Sequence, residues 1–106
     1  MMIRKLYKIC EALENLFPGP RDPFRILARL MEESGELADQ IHLREAIGRK
    51  REGGRQPDDM ELAKEIQDVM TAVLDIARYY KIEDELEKRV TAGYKRAVSE
   101  GLIEAL

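Results

Sequence analysis

Two clusters of helix-breaking residues set the limits on what this chain can fold into. Pro18-Gly19-Pro20-Arg21-Asp22-Pro23 and Gly48-Arg49-Lys50-Arg51-Glu52-Gly53-Gly54-Arg55-Gln56-Pro57 combine fixed proline dihedrals, missing backbone donors and unrestrained glycines, so each must be loop. Outside them, apolar residues recur with the period of a helix, and no alternating run of β-branched residues stands against that reading.

The periodicity predicts four helices. The first covers about 2–17, with Ile3, Leu6, Ile9, Leu13 and Leu16 as its apolar stripe. The second begins after Asp22, an N-cap followed by Pro23 at the first helical position, and continues to about Ala46. The third starts near Asp58, behind Pro57, and reaches about Tyr80. The fourth covers about Asp84 to Glu100 and stops at Gly101. A chain of 106 residues has room for one domain, so residues 1–106 read as a single all-α unit. The second and third helices, at about 22–25 residues, are long for so small a domain. Their apolar arcs are wider than one chain covers, so the expected architecture is a four-helix chain forming an oligomeric helical bundle, a homodimer or homotetramer.

Composition excludes several classes. With 37% charged and 44% hydrophobic residues, the chain fits neither a disordered nor a membrane protein. No apolar run approaches the ~18 residues that span a bilayer. The opening Met-Met-Ile-Arg-Lys-Leu-Tyr-Lys has no apolar core of a secretory signal, and the single Cys10 excludes an internal disulfide and a cysteine-based zinc site, so a cytoplasmic location is expected. Eighteen Lys and Arg stand against 21 Asp and Glu, a net charge of −3, which gives no reason to expect stable nucleic-acid binding.

The acidic residues are not evenly spread. On the third helix Leu62, Ile66, Val69, Met70, Val73, Leu74, Ile76, Ala77 and Tyr80 form the apolar arc, and Lys64, Gln67, Thr71 and Arg78 a mixed solvent face. The remaining sector holds Glu61, Glu65, Asp68, Ala72 and Asp75, without a basic residue, although like charges one turn apart repel. The second helix sets Glu32, Glu33, Glu36 and Asp39 beside its apolar arc of Ile26, Leu27, Leu30, Met31, Leu37, Ala38 and Ile41. Glu33 falls at the edge of that arc and should be half-buried, a costly position for a carboxylate without a cation. If the two helices pack antiparallel, Glu33 and Glu36 face Glu65 and Asp68. Hard oxygen ligands in that number suit Mg²⁺, with Mn²⁺ as a substitute. Charged helices held by pairs such as Arg29 with Glu33 would give the same composition with no metal.

Glu32-Glu33-Ser34-Gly35-Glu36-Leu37-Ala38, followed across a loop by Glu65-Ile66-Gln67-Asp68-Val69, resembles the EExxE…ExxD signature of the MazG-like nucleotide pyrophosphohydrolases, the all-α NTP pyrophosphatase superfamily. The resemblance covers about residues 23–100. It implies Mg²⁺-dependent hydrolysis of a nucleoside triphosphate, (d)NTP and water giving (d)NMP and pyrophosphate, in nucleotide-pool house-cleaning. By motif position it implies Glu33, Glu36, Glu65 and Asp68 as metal ligands. Glu32, with Glu33 in the catalytic role, would help bind a further metal or orient the attacking water. It also implies dimers or tetramers in which two chains complete the bundle, and basic residues on the helix after the second motif. Lys88 and Lys95 share a face there, with Arg96 adjacent, and are the expected phosphate contacts. Phosphoribosyl-ATP pyrophosphohydrolase is the rival within the superfamily, and a helical interaction module without enzymatic activity is the rival outside it.

Other residues carry weaker signals. His42 is the only histidine, and one Asp39-x-x-His42 pattern is half of what a di-iron site needs, so surface exposure is expected. Asp75 reads equally as a support to the acidic cluster and as an ion-pair partner. The segment Arg44 to Arg55, rich in Arg, Lys and Gly, reads either as a lid over a triphosphate or as a mobile surface loop.

Overall fold

The computed structural model describes residues 2–46 and 54–106. Among these are four helices and no strand: α1 (Met2–Leu16), α2 (Pro23–Arg44), α3 (Asp59–Tyr80) and α4 (Glu83–Ser99). The all-α expectation is met, with every helix end within two residues of its expected place. Residues 47–53, the middle of the segment read either as a lid or as a surface loop, lie outside the described residues.

The helix ends follow from local chemistry. Asp22 caps α2 in an extended conformation, its side chain accepting from the Phe24 backbone N–H at 2.8 Å, with Pro23 in the first turn. Asp58 does the same for α3, accepting from Met60 N–H at 2.8 Å. Two helices close with the same motif. Beyond α4, Gly101 takes φ 73° while Leu102 N–H reaches Ala97 O at 3.0 Å and Gly101 N–H reaches Val98 O at 3.0 Å. Beyond α3 the left-handed position is held by Lys81 at φ 56°, with Ile82 N–H bonded to Ala77 O at 2.9 Å. A side chain there costs ~1 kcal/mol that glycine avoids.

The chain divides into two compact units, one ending at Ile76 and the other starting at Ala77. In the first, α2 and α3 run antiparallel. Arg44 on α2 pairs with Asp59 at 2.8 Å at the start of α3, Arg29 donates to Thr71 at 3.1 Å, and Arg21, ahead of α2, bonds Asp75 at 3.2 Å. The core of this unit is small: Leu6, Cys10, Ala72 and Leu74 are its buried apolar residues, and the Cys10 thiol donates to Thr71 O at 3.3 Å. Two residues of α3 depart from the wheel. The wheel places Thr71 on the solvent face and Ala72 in the acidic strip, yet they expose 1% and 0% of their surface. Thr71 meets partners from two other helices: Arg29 of α2 donates to its hydroxyl and the Cys10 thiol of α1 to its carbonyl oxygen.

Much of the expected apolar arc remains uncovered in this single chain. No residue of α2 is buried; Leu27, Met31 and Ile41 are about half exposed or more, and Ile66 and Val73 on α3 are exposed to somewhat under half. In the second unit α4 likewise has no buried residue, and the Leu106 N–H donates to the Tyr94 hydroxyl at 2.6 Å. No described helix is long and apolar enough to cross a membrane.

Candidate functional site

α2 and α3 bring four carboxylates together. Glu33 and Glu36 come from α2 and Glu65 and Asp68 from α3, and one oxygen of each lies within 4.8 Å of the others. Each pair is spaced i,i+3, which puts both members on one side of a helix. The antiparallel run of the two helices then sets the pairs at the same height.

The cluster is graded in burial. Glu65 exposes only 8% of its surface, Glu33 and Asp68 are half-buried, and Glu36 is exposed. The half-burial of Glu33 matches its place at the edge of the apolar arc. Glu33 Oε2 and Glu65 Oε2 are buried without a hydrogen-bond partner. Oxygens in that state lose water without gaining a donor, which costs free energy unless a cation meets them.

Electrostatics follow the burial. Burial holds the Glu33 carboxyl above the ordinary glutamate range, and the charges of Asp68 and Glu36 push it further up against the opposing Arg29. Glu65 is also raised, chiefly by burial. The nearby Lys64 opposes that shift, while Glu36 and Asp68 add to it.

Lys64 corrects the sequence reading, in which the acidic strip of α3 had no cation. Its ammonium lies 3.0 Å from Asp68 Oδ2 and 3.6 Å from Glu65 Oε1. The hydrogen bond to Asp68 and then the charges of Asp68 and Glu65 raise its pKa. The signal was present in the sequence as an i,i+4 Lys–Asp spacing, but Lys64 falls on the adjoining face of the wheel and only its long stem carries the charge across. Arg29 differs too. Instead of a hydrogen bond to Glu33, it donates to the Thr71 hydroxyl. Its charge still acts on Glu33 through space.

The donor set tests what the cluster could hold. All four groups offer carboxylate oxygens, and two of those oxygens are buried and unbonded. Hard anionic oxygens at this density fit a small divalent cation that accepts oxygen ligands, and they do not suit a soft metal that prefers sulfur or imidazole.

The remaining predicted residues are placed elsewhere. Glu32 is exposed on α2 and stands outside the group of four. Lys88, Lys95 and Arg96 lie on α4, in the second unit. Both lysines are exposed, and Arg96 Nε pairs with Glu100 at 2.8 Å. Asp75 resolves as an ion-pair partner, bonded to Arg21, which also reaches Glu14 at 3.4 Å. His42 is exposed, as expected.

One feature had no sequence signal. A cavity of about 450 Å³ opens in the first unit, with Phe17, Arg21, Arg25, Ile26, Arg29 and Asp75 among its lining residues. It reaches Arg29, one helical turn before Glu33. The loop between α1 and α2 forms one wall, and the path of that loop is not readable from residue types.

A family model described as the MazG nucleotide pyrophosphohydrolase domain matches residues 21–91, a span that includes all four clustered carboxylates and Lys88. Comparisons with curated proteins and with solved structures gave no match.

Proposed function

Because the chain belongs to the MazG nucleotide pyrophosphohydrolase family, we propose that it hydrolyses a nucleoside triphosphate to the monophosphate and pyrophosphate with Mg²⁺ at the carboxylate cluster. The observation that carries this reading is the meeting of Glu33, Glu36, Glu65 and Asp68, two of them with buried unbonded oxygens. Mn²⁺ is the expected substitute, since it accepts the same ligands.

Glu33, Glu36, Glu65 and Asp68 would hold the ion. When bound, it neutralises phosphate oxygens and lowers the pKa of an adjacent water. The protein's own groups do the rest. Glu33 would accept a proton from the attacking water at the oxygen that it does not give to the ion. Glu32, exposed one residue earlier, assists by orienting that water or a further ion. No nucleophilic side chain is needed, which suits a chain with no Ser–His or Cys–His hydrogen bond among the described residues. The cavity beside Arg29 is the proposed seat of the nucleoside, with Phe17, 76% exposed, available to stack on a base.

Lys88, Lys95 and Arg96 are the proposed phosphate contacts. Lys95→Ala is expected to raise KM more than it lowers kcat, because a cation that binds the phosphates alike in ground and transition states contributes mainly to binding. Unchanged kinetics would remove Lys95 from the site.

The proposal extends to a homo-oligomer in the cytoplasm that does not bind nucleic acid stably. The exposed apolar residues of α2 support self-association, because a stripe of that extent normally marks an interaction surface. The deciding experiment incubates the protein with Mg²⁺ and a panel of nucleotides and scores pyrophosphate against orthophosphate. Pyrophosphate from free (d)NTPs supports the proposal. Activity on phosphoribosyl-ATP alone would move the assignment to the rival within the superfamily. No turnover and no metal binding would leave an interaction module.

A further inference from the structure

The cluster poses a problem for the chain before any metal arrives. Four carboxylates share one small volume, and one of them is nine-tenths buried with an oxygen that has no donor. Repulsion at that density should drive the α2 and α3 side chains apart. Lys64 is placed to offset part of that repulsion. Its ammonium reaches Asp68 at 3.0 Å and Glu65 at 3.6 Å, two of the four clustered groups, while 59% of its side chain stays in solvent.

We propose that Lys64 is a tethered counter-ion of the cluster, one that offsets part of its charge without metal and that competes with a divalent cation for Asp68 and Glu65. This rests on the metal-binding reading above and adds to it a residue outside the carboxylate motif that sets metal affinity. The physical basis is competition for the same two carboxylates: the ammonium meets Asp68 Oδ2 and lies near Glu65 Oε1, while Glu65 Oε2 stays unbonded. A carboxylate oxygen that accepts from an ammonium is not free to ligate, and a positive charge left near the site repels a second cation. The long, exposed stem lets Lys64 leave at little cost. Its two effects therefore have opposite signs: it stabilises the metal-free chain and weakens metal binding. A merely structural lysine would do only the first, and a solvated bystander would do neither.

The test uses the full chain stripped of metal, with Mn²⁺ alone as the probe. Its affinity is measured by calorimetry, and the metal-free Tm is measured on the same samples. Lys64→Gln is expected to bind Mn²⁺ roughly threefold to fivefold more tightly at low ionic strength, the scale of an exposed ion pair, and the gain should shrink as salt is added. The same variant should melt below the wild type when no metal is present. Lys64→Arg keeps the charge and should behave as the wild type. Lys8→Gln removes the same charge from an exposed i,i+3 pair on α1 and should leave Mn²⁺ affinity unchanged. Equal or weaker Mn²⁺ binding by Lys64→Gln would overturn the proposal while leaving the metal site intact. A matching gain in Lys8→Gln would reduce the effect to net charge and overturn it as well. A wild type that binds no Mn²⁺ would remove the metal site itself, and the proposal with it.

Discussion

Replacing Glu65 or Glu36 by Gln is expected to abolish turnover and leave the protein folded. Either change removes one of the four clustered carboxylates and keeps the side-chain volume. Losing a ligand from a site that stabilises charge on a phosphate forfeits several kcal/mol, so activity should fall by at least about a hundredfold. Stability should move the other way. In metal-free buffer at neutral pH, Glu65→Gln is expected to melt at or above the wild-type temperature, because it removes a buried negative charge from beside Glu36 and Asp68. Steady-state kinetics and thermal melts on the same samples check both halves. An inactive variant that is also unfolded without metal would mean that Glu65 serves the fold rather than the chemistry.

Mg²⁺ or Mn²⁺ is expected to raise Tm strongly, and to do so more at neutral than at acidic pH. A ligand that binds only the folded state at a hundred times its Kd adds about 2.7 kcal/mol. For a domain of this size that corresponds to a rise of more than about 10 °C. The pH dependence follows from Glu33 and Glu65, whose folded-state pKa values lie above the ordinary 4.5. Raised carboxyl pKa values mean that the folded state holds these protons more tightly than the unfolded chain. Their contribution to metal-free stability is therefore fully present below pH 4.5 and is lost as pH rises through the raised values. Metal requires the ionised forms, so its stabilisation grows over the same window. Comparing the melts of wild type and Glu65→Gln across that range isolates the Glu65 part from other titrating groups. A metal-induced shift that is flat with pH would count against these carboxylates as the ligands.

The two motif halves show how far residue types alone reach. Spacing of i,i+3 puts Glu33 with Glu36 and Glu65 with Asp68 on single helix sides, and the position of Glu33 at the border of an apolar arc foretells its half-burial. These are properties of one helix at a time. Asp22 and Gly101 were legible for the same reason, since a cap is decided by the few residues around it. Lys64 was misread because a wheel places Cβ atoms, whereas the charge of a lysine sits at the end of four methylenes and settles where the nearest anions are. Thr71 and Ala72 were misread because burial depends on which neighbour packs there, and such small side chains carry little hydropathy to announce it.

The sequence by itself determined the helices, their breaks and the two acidic strips, because backbone dihedral limits and a fixed helical period act over a few residues. Only the tertiary structure decided that the strips converge within 4.8 Å, that Glu65 is the buried member and that Lys64 and Arg29 turn as they do. Those outcomes depend on how α2 lies against α3, and that is fixed by the summed packing of residues far apart in the chain.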